Sequence, residues 1–384
     1  MPDRVYLDWN ATTPLRPEAR RAMTAAWDLA GNPSSVHAEG RQARRLVEDA
    51  RATVAAAVTA RPQDVVFASG GTEANALALT PGLRRGAGAP AQRLLVSAVE
   101  HTSVLSGGRF SAGTIQTIKV TAAGLVDLDH LRTLLAAGPP ALVSVMLANN
   151  ETGALQPARE AADIAHEAGG LLHVDAIQAF GKIPVDIKSL GADLITLSAH
   201  KIGGPKGVGA LVLAEDVQGL EPLLRGGGQE LGRRAGTENV VGIAAFGAAT
   251  AAAMAALATD AARLQALRQR LEKGLMQTPG IIVFSADIQR LPNTTLFTVP
   301  GLKAETAVIG FDLGGIAVSS GSACSSGKVQ PSHVLAAMGV GPDLAQGAVR
   351  LSLGWSTSET DIDLALQAWR KLADALLRGR RNTA

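Results

Sequence analysis

Thiol chemistry is almost absent from this chain of 384 residues, whose only cysteine is Cys324. A single thiol excludes an intramolecular disulfide and any paired-cysteine zinc or redox site. It leaves a core residue or one reactive thiol. Aromatic side chains make up 3% of the sequence, too few for the stacking platforms that grip single-stranded nucleic acid. Neither sign of charge dominates: 36 basic against 34 acidic side chains give a formal net charge of +2. No Lys/Arg run is long enough for a nucleic-acid groove, and the basic tail from Arg378 to Arg381 reads as a solvated terminus. MPDRVYLDWN lacks the cationic-then-apolar pattern of a secretory leader. The one long uncharged stretch, Val240 to Ala258, is mostly Ala, Gly and Thr. It lacks the large apolar side chains and aromatic flanks of a bilayer span, and reads as a buried helix. The expectation is a cytoplasmic protein with no membrane and no nucleic-acid partner.

What is present points to a globular chain of two domains. Apolar residues make up 47% and charged residues 18%, enough for a large buried core. An extended arm through Pro14 leads into helices at Pro17 to about Leu29 and Ala38 to Ala57, separated by GNPSSVH. Short apolar runs then alternate with helical periodicity. Strands are expected near Asp64–Ala68, Arg93–Ser97, Thr114–Val120, Ala141–Leu147, Gly170–Val174, Leu194–Leu197 and Gly209–Leu213. Helices are expected at Ala74–Leu79, from Asp127 to Ala136 and from Pro157 to Ala168. Such alternation argues for an α/β fold with a mostly parallel sheet. After the glycine-rich loop GGGQELGRRAGTEN the pattern changes. The Ala-rich helix from Val240 leads out of the first unit, and a charged helix from about Asp260 to Met276 opens a smaller α+β unit. The expected division is a large domain over 16–258, with 1–15 and 259–384 forming the small one.

Polar residues at the ends of apolar runs carry the functional signal. Asp175 and Gln178 follow one run; Ser198, His200 and Lys201 follow the next. A carboxylate and an amine about twenty-five residues apart fit one strand–helix–strand step. That step puts both at the edge of the sheet where open α/β folds bind ligands. Lys201 among Ile202, Gly203 and Gly204 could lose its proton and hold an aldehyde cofactor as a Schiff base. Asp175 would then face the cofactor's ring nitrogen. Ser69-Gly70-Gly71-Thr72 between a strand and a helix offers backbone N–H groups to a phosphate, and His101 opens another helix as a ring-stacking candidate. Taken singly, each has a plainer reading: a surface lysine, helix caps, a glycine turn.

Two look-alikes fail. Ser198-Ala199-His200-Lys201 matches the S-x-x-K spacing of penicillin-recognising enzymes, but it follows a strand and the SDN and KTG partners do not occur. GSACSSGK from Gly321 resembles a phosphate-binding loop with one residue too many between the glycines, and Val329 stands where a magnesium-ligating Ser or Thr is required. Cys324 sits among Gly321, Ser322, Ser325, Ser326 and Gly327, which cannot build a core, and Lys328 could lower its pKa. Arg350, set in the apolar run AVRLSLG, is either a salt-bridged strand residue or a bidentate clamp for a substrate carboxylate.

With these residues assembled, the sequence resembles the cysteine desulfurases of the NifS/IscS type, within the fold-type I pyridoxal phosphate enzymes of the class-V aminotransferase family. The likeness runs through YLDWNATTP, GNPSSVH, FASGGTEANALAL, EHTSVL, NNETG, HVDAIQ, SAHKIGGPKG, GGGQELGRRAGTENV, SSGSACSS and VRLSLG. It implies a fold-type I transferase architecture with pyridoxal 5'-phosphate held by Lys201. Asp175 would pair with the pyridinium nitrogen, Gln178 would reach the phenolic oxygen, and His101 would stack on the ring and move protons. Gly71, Thr72, Ser198 and His200 would hold the phosphate, completed by Thr237 of a second subunit. Asn150, Asn10 and Arg350 would lie against cofactor and substrate.

Cys324 would take sulfur from L-cysteine as a persulfide, releasing L-alanine, and pass it to an iron–sulfur scaffold or sulfur carrier. Selenocysteine lyase or aminotransferase chemistry on the same scaffold is the alternative. No metal site is implied, although Cys324 could face an iron–sulfur cluster in transit. A homodimer follows from the same likeness, and GTEN resembles the NifS-like branch. The chain ends near its last helix, without the extended tail by which some relatives dock a scaffold, so the acceptor stays open.

Overall fold

The computed structural model describes residues 4–321 and 332–381. The apolar runs of the first half pair into one seven-stranded sheet. Its strands are β1 (Val65–Ala68), β2 (Arg93–Ser97), β3 (Ile115–Ile118), β4 (Ala141–Met146), β5 (Leu171–Asp175), β6 (Leu194–Ser198) and β7 (Gly209–Leu213). They lie in the order β1-β7-β6-β5-β4-β2-β3. From β6 to β3 every pairing is parallel, whereas β7 runs against both β6 and β1. Side chains along β1 alternate between two cores. Val65 and Phe67 join the larger apolar cluster, and Val66 and Ala68 join a second one on the opposite face. Burial on both faces explains why these strands, apart from the edge strand β3, read as apolar runs.

The helices are α1 (Pro17–Trp27), α2 (Ala38–Ala57), α3 (Gly71–Ala78), α4 (Leu128–Ala136), α5 (Ala158–Glu167), α6 (Val240–Leu275), α7 (Ala304–Leu313) and α8 (Glu359–Arg381). Residues of α1, α2, α4, α5 and α6 pack on the larger core face, and Ala74 and Leu77 of α3 on the other. Asp127 caps α4 by accepting from the His130 backbone N–H, as its position before the helix suggests.

A second sheet, antiparallel throughout, has β8 (Ile282–Val283), β9 (Thr294–Thr298), β10 (Ser319–Ser320) and β11 (Val349–Ser352) in the order β8-β9-β11-β10. Its core is centred on Trp369, whose ring meets Phe297 edge-on at 4.9 Å between centroids and stacks near Phe311 at 6.1 Å. The N-terminal arm joins this sheet's region: Val5–Tyr6 pairs in parallel with Ile316–Ala317.

The sequence suggests two helices meeting near Asp260. The structure has one, α6, of 36 residues, and the expected boundary at 258/259 falls inside it. No Gly or Pro interrupts ALATDAAR. Thr259 turns its hydroxyl back to the Ala256 carbonyl at 2.9 Å, and Asp260 faces Arg263 one turn on at 3.1 Å. The change in composition records a change of neighbours. Ile243, Phe246, Ala249 and Ala253 pack in the large core, while Leu264, Leu267, Leu271 and Leu275 pack in the small one. α6 is the one helix among the described residues long and apolar enough to cross a membrane, and its apolar half lies against α1 and α2.

The tightest point of that packing is Gly247, where a Cβ would stand 2.8 Å from Cα and Cβ of Ala50 in α2. Gly247→Val is expected to destabilise the protein by about 1–3 kcal/mol through overpacking. A lower denaturant midpoint in chemical unfolding checks it; an unchanged midpoint would show that the helices can separate without cost.

Candidate active site

The parallel strands deliver their polar ends to one edge. β2 runs into Glu100 and His101, β4 ends at Met146, β5 at Asp175 and β6 at Ser198, followed by a single 3-10 turn, Ala199–Lys201. α3 begins on the same side. These ends, the N-terminal arm and β11 enclose a cavity of about 270 Å³. Gly71, Thr72, His101, Asn150, Asp175 and Gln178 form one part of its wall; Ser198, His200, Lys201, Asn10 and Arg350 form the rest. Thr237 is not among them: it is exposed, in the loop ahead of α6. Cys324 lies outside the described residues.

Lys201 is held at the cavity floor by the arm. Its Nζ donates to the carbonyl of Asn10 at 2.6 Å and of Ala11 at 2.9 Å. Asp175 is buried and accepts from the Ile177 N–H at 3.0 Å and from Nδ2 of Asn75 at 2.9 Å. Burial raises its pKa, against the pull of those hydrogen bonds and of the nearby His101 and Lys201 charges. Behind it runs a wholly buried chain. Thr196 donates to Oδ1 of Asn75 at 2.6 Å, and His173 joins Thr196 at 3.2 Å and Ser144 at 2.8 Å. Burial drives the His173 pKa down to about 3, so this chain carries no charge at neutral pH.

His101 is oriented by its own helix. Nδ1 accepts from the Ser103 N–H at 3.1 Å and contacts Ser103 Oγ at 2.7 Å, which leaves Nε2 to carry the proton of the neutral ring. Burial lowers its pKa first, with Lys201 and His333 adding to the effect and Asp175 opposing it.

An anion site lies at the start of α3. A Cβ at Gly71 would stand 2.3 Å from Ile177 Cδ1, so a side chain there would have to displace Ile177. Gly71 and Thr72 line the cavity, where the first N–H groups of the helix and its dipole favour an anion. Beside them the Ser198 hydroxyl is buried with no hydrogen-bond partner among the described residues. An orphaned donor at a helix N-terminus, next to His200 and Thr72, fits a phosphate monoester. His200 Nδ1 meets Thr12 Oγ1 at 3.1 Å, and burial lowers its pKa to about 4, with Lys201 the next cause. The acid of the first turn, Glu73, accepts the Ser69 N–H at 2.8 Å and is paired with Arg234 at 2.9 Å.

Arg350 is 2% exposed and ion-paired with Asp8 at 2.8 Å, with Nη1 on the Asn150 carbonyl at 3.0 Å. The salt-bridged reading of this arginine holds, and its side chain also lines the cavity.

Four buried groups around the site went unremarked in the sequence. Asn75 lies three residues after Thr72 on α3 and bridges Asp175, Thr196 and Ser103; that spacing was the available signal. Lys182 lies four residues after Gln178. Glu100 and Glu151 are carboxyls whose burial only the fold reveals. Glu100 accepts from the Met146 N–H with one oxygen while the other has no hydrogen-bond partner among the described residues, and burial, with the Asp175 charge, pushes its pKa well up. Glu151 accepts from the Ser332 hydroxyl at 2.5 Å.

Burial raises the Glu151 pKa from 4.5 to about 7, with Ser332 and Arg350 opposing. Between those values the folded protein keeps a proton that the unfolded chain has lost, so stability falls as pH rises through that window. The total is about 3 kcal/mol at ~1.4 kcal/mol per pKa unit. Glu151→Gln removes the titration while keeping the shape. Its stability relative to the parent is expected to rise by that amount from pH 4.5 to about 7; a pH-independent difference in unfolding free energy would contradict it.

Comparison with known proteins agrees with this arrangement. The description "Aminotransferase class-V" matches residues 5–365. A cysteine desulfurase of Cereibacter sphaeroides is 43% identical over 382 residues, covering 97% of each chain. The structure of a NifS-like protein from Rickettsia africae superposes with a TM-score of 0.88 at 38% identity, covering 97% of this chain and 99% of that one. SspA, whose structure was solved in complex with cysteine, has a TM-score of 0.74 at 28% identity over 91% of this chain and 98% of its own. A match over nearly the whole length, on a mostly parallel sheet with the lysine and aspartate at its ligand-binding edge, means that the chain belongs to the class-V aminotransferase family and has its fold-type I architecture.

Proposed function

We propose that this protein is a cysteine desulfurase that uses pyridoxal 5'-phosphate to convert L-cysteine to L-alanine, leaving the sulfur as a persulfide on Cys324. The observation that carries the reading is one cavity joining Lys201, the buried Asp175 and the orphaned Ser198 hydroxyl at the start of α3. Bound there, the cofactor supplies an electron sink for charge developing at the amino acid's Cα.

The chain's own residues do the rest. Lys201 anchors the cofactor and then serves as the base that moves the Cα proton. Asp175, fixed by Asn75 and Ile177, keeps a proton on the ring nitrogen. Gly71, Thr72, Ser198 and His200 take the phosphate, and His101 covers the ring face. Gln178 reaches the phenolic oxygen. Arg350, backed by Asp8, receives the substrate carboxylate, with Asn150 and Asn10 beside it. Cys324 accepts the sulfur atom: one carbon–sulfur bond of cysteine is broken, one sulfur–sulfur bond is made, and alanine leaves.

Two further parts belong to this reading. Thr237, exposed and away from its own cavity, completes the phosphate cradle of a second subunit in a homodimer. The persulfide passes to a sulfur-acceptor protein, an iron–sulfur scaffold or sulfur carrier.

Incubation with L-cysteine and a thiol reductant is expected to give alanine and sulfide together. A keto acid instead of alanine would identify an aminotransferase, and no turnover of cysteine would overturn the reading. Cys324→Ala is expected to keep the visible band of the loaded protein and lose sulfide release; full activity in that variant rules out the assigned sulfur acceptor. In Lys201→Ala the borohydride-reducible absorbance should disappear.

A further inference from the structure

Lys182 is buried where a lysine has no obvious reason to be. It sits in the turn after β5, one helical turn beyond Gln178, and is 8% exposed. Its Nζ donates to Oε1 of Gln178 at 2.7 Å and to Oδ1 of Asn10 at 3.0 Å. Among the described residues no carboxylate pairs with it. The charged groups that face it are Lys201 on the turn after β6 and Arg350 on β11, with His200 also near enough to feel its charge. Asp260 of α6 and Arg16 stand across a small second cavity of about 30 Å³ that Lys182 and Lys201 both line. Burial first, then Lys201 and Arg350, pushes its pKa well down. A leucine or methionine would fill the space without that desolvation cost. What only an amine supplies there is donation to two amide oxygens, and it does so whether protonated or neutral.

Side-chain amides have a donor end and an acceptor end that can exchange places. A donor-only neighbour settles which end faces which way. With Oε1 turned to Lys182, Gln178 presents Nε2 to the Asn10 carbonyl at 2.9 Å, beside the Lys201 amine on that same carbonyl. With Oδ1 turned to Lys182 and Asn293, Asn10 presents Nδ2 to the Asn150 carbonyl at 3.2 Å and to Thr294 at 2.9 Å.

We infer that Lys182 is a positioning residue of this site: its buried amine, donating to the side-chain oxygens of both Gln178 and Asn10, fixes the Gln178 N–H toward the cofactor's phenolic oxygen and the Asn10 amide toward Asn150. The inference rests on the cofactor assignment above and adds a residue that acts through Gln178.

The test titrates the visible absorbance of the loaded protein across the neutral and alkaline range. In Lys182→Met, which keeps the volume and loses the donor, Gln178 is free to turn. The phenolic oxygen loses its donor, which raises the apparent pKa of the band by roughly one unit. Lys182→Gln, whose amide NH2 keeps a donor at that place, should restore the titration toward the parent's. Because Lys182 acts through Gln178, Lys182→Met in a Gln178→Ala background should shift the titration no further. Should Lys182→Met fail to fold, Lys182→Leu takes its place in the same cycle. A band that titrates identically in parent and Lys182→Met, or additive shifts in the double variant, overturns the inference alone. No visible band in the parent overturns the cofactor assignment, and this inference with it.

Discussion

Everything at the cavity depends on how two lysine amines are given oxygen to bond to away from open water. Lys201 takes the backbone carbonyls of Asn10 and Ala11; Lys182 takes the side-chain oxygens of Asn10 and Gln178. One residue of the N-terminal arm thus serves both amines. That requires the arm to lie flat across the site, and β11 holds it there. Ser352 donates its backbone N–H to Leu7 at 2.8 Å and accepts the Asn10 N–H at its hydroxyl at 2.9 Å. The pairing of arm and second sheet therefore determines where the lysine of the first sheet points.

The same economy of charge runs through the carboxyls. Burial favours the neutral form of Glu100 and Glu151, and the imidazoles of His173 and His200 are likewise kept neutral. Asp175 is the carboxyl that receives donors from its own helix turn and from Asn75, so its negative charge is the one best supported inside the cavity. Arg350 lines the same cavity, ion-paired with Asp8. Asn75 and the Thr196–His173–Ser144 chain behind it keep Asp175 in place without adding charge of their own.

The sheet was readable because every strand but the edge strand β3 is buried on both faces and so stands out as an apolar run ended by polar residues. Asp175 and Lys201 declared themselves by that break in pattern. α6 misled for a physical reason: its neighbours change halfway along, and composition follows neighbours more closely than backbone. The direction of β7 was also hidden, since a buried strand reads the same forwards and backwards. Lys182, Glu100 and Glu151 were illegible because their meaning lies in desolvation, which no spacing encodes. Asn75 was within reach, one turn from Thr72 on a face already assigned to ligand.

The arm's bonds to β11 also place the site in time. Asn10 and Ser352 are separated by 342 positions, as are Asp8 and Arg350. At ~5–20 residues per second, a ribosome exposes them tens of seconds apart. The seven-stranded sheet can assemble during that interval, because its strands come from consecutive segments. Throughout it, the residue that must satisfy Lys201 and Lys182 has no strand to rest on. The newborn large unit carries a cavity that the arm does not close until the last strand arrives. Closure of the arm is then a single late event of high contact order, slow by the measure that governs such folds. It makes the closed cavity a property of the finished chain, beyond the reach of the unit that supplies most of its lining.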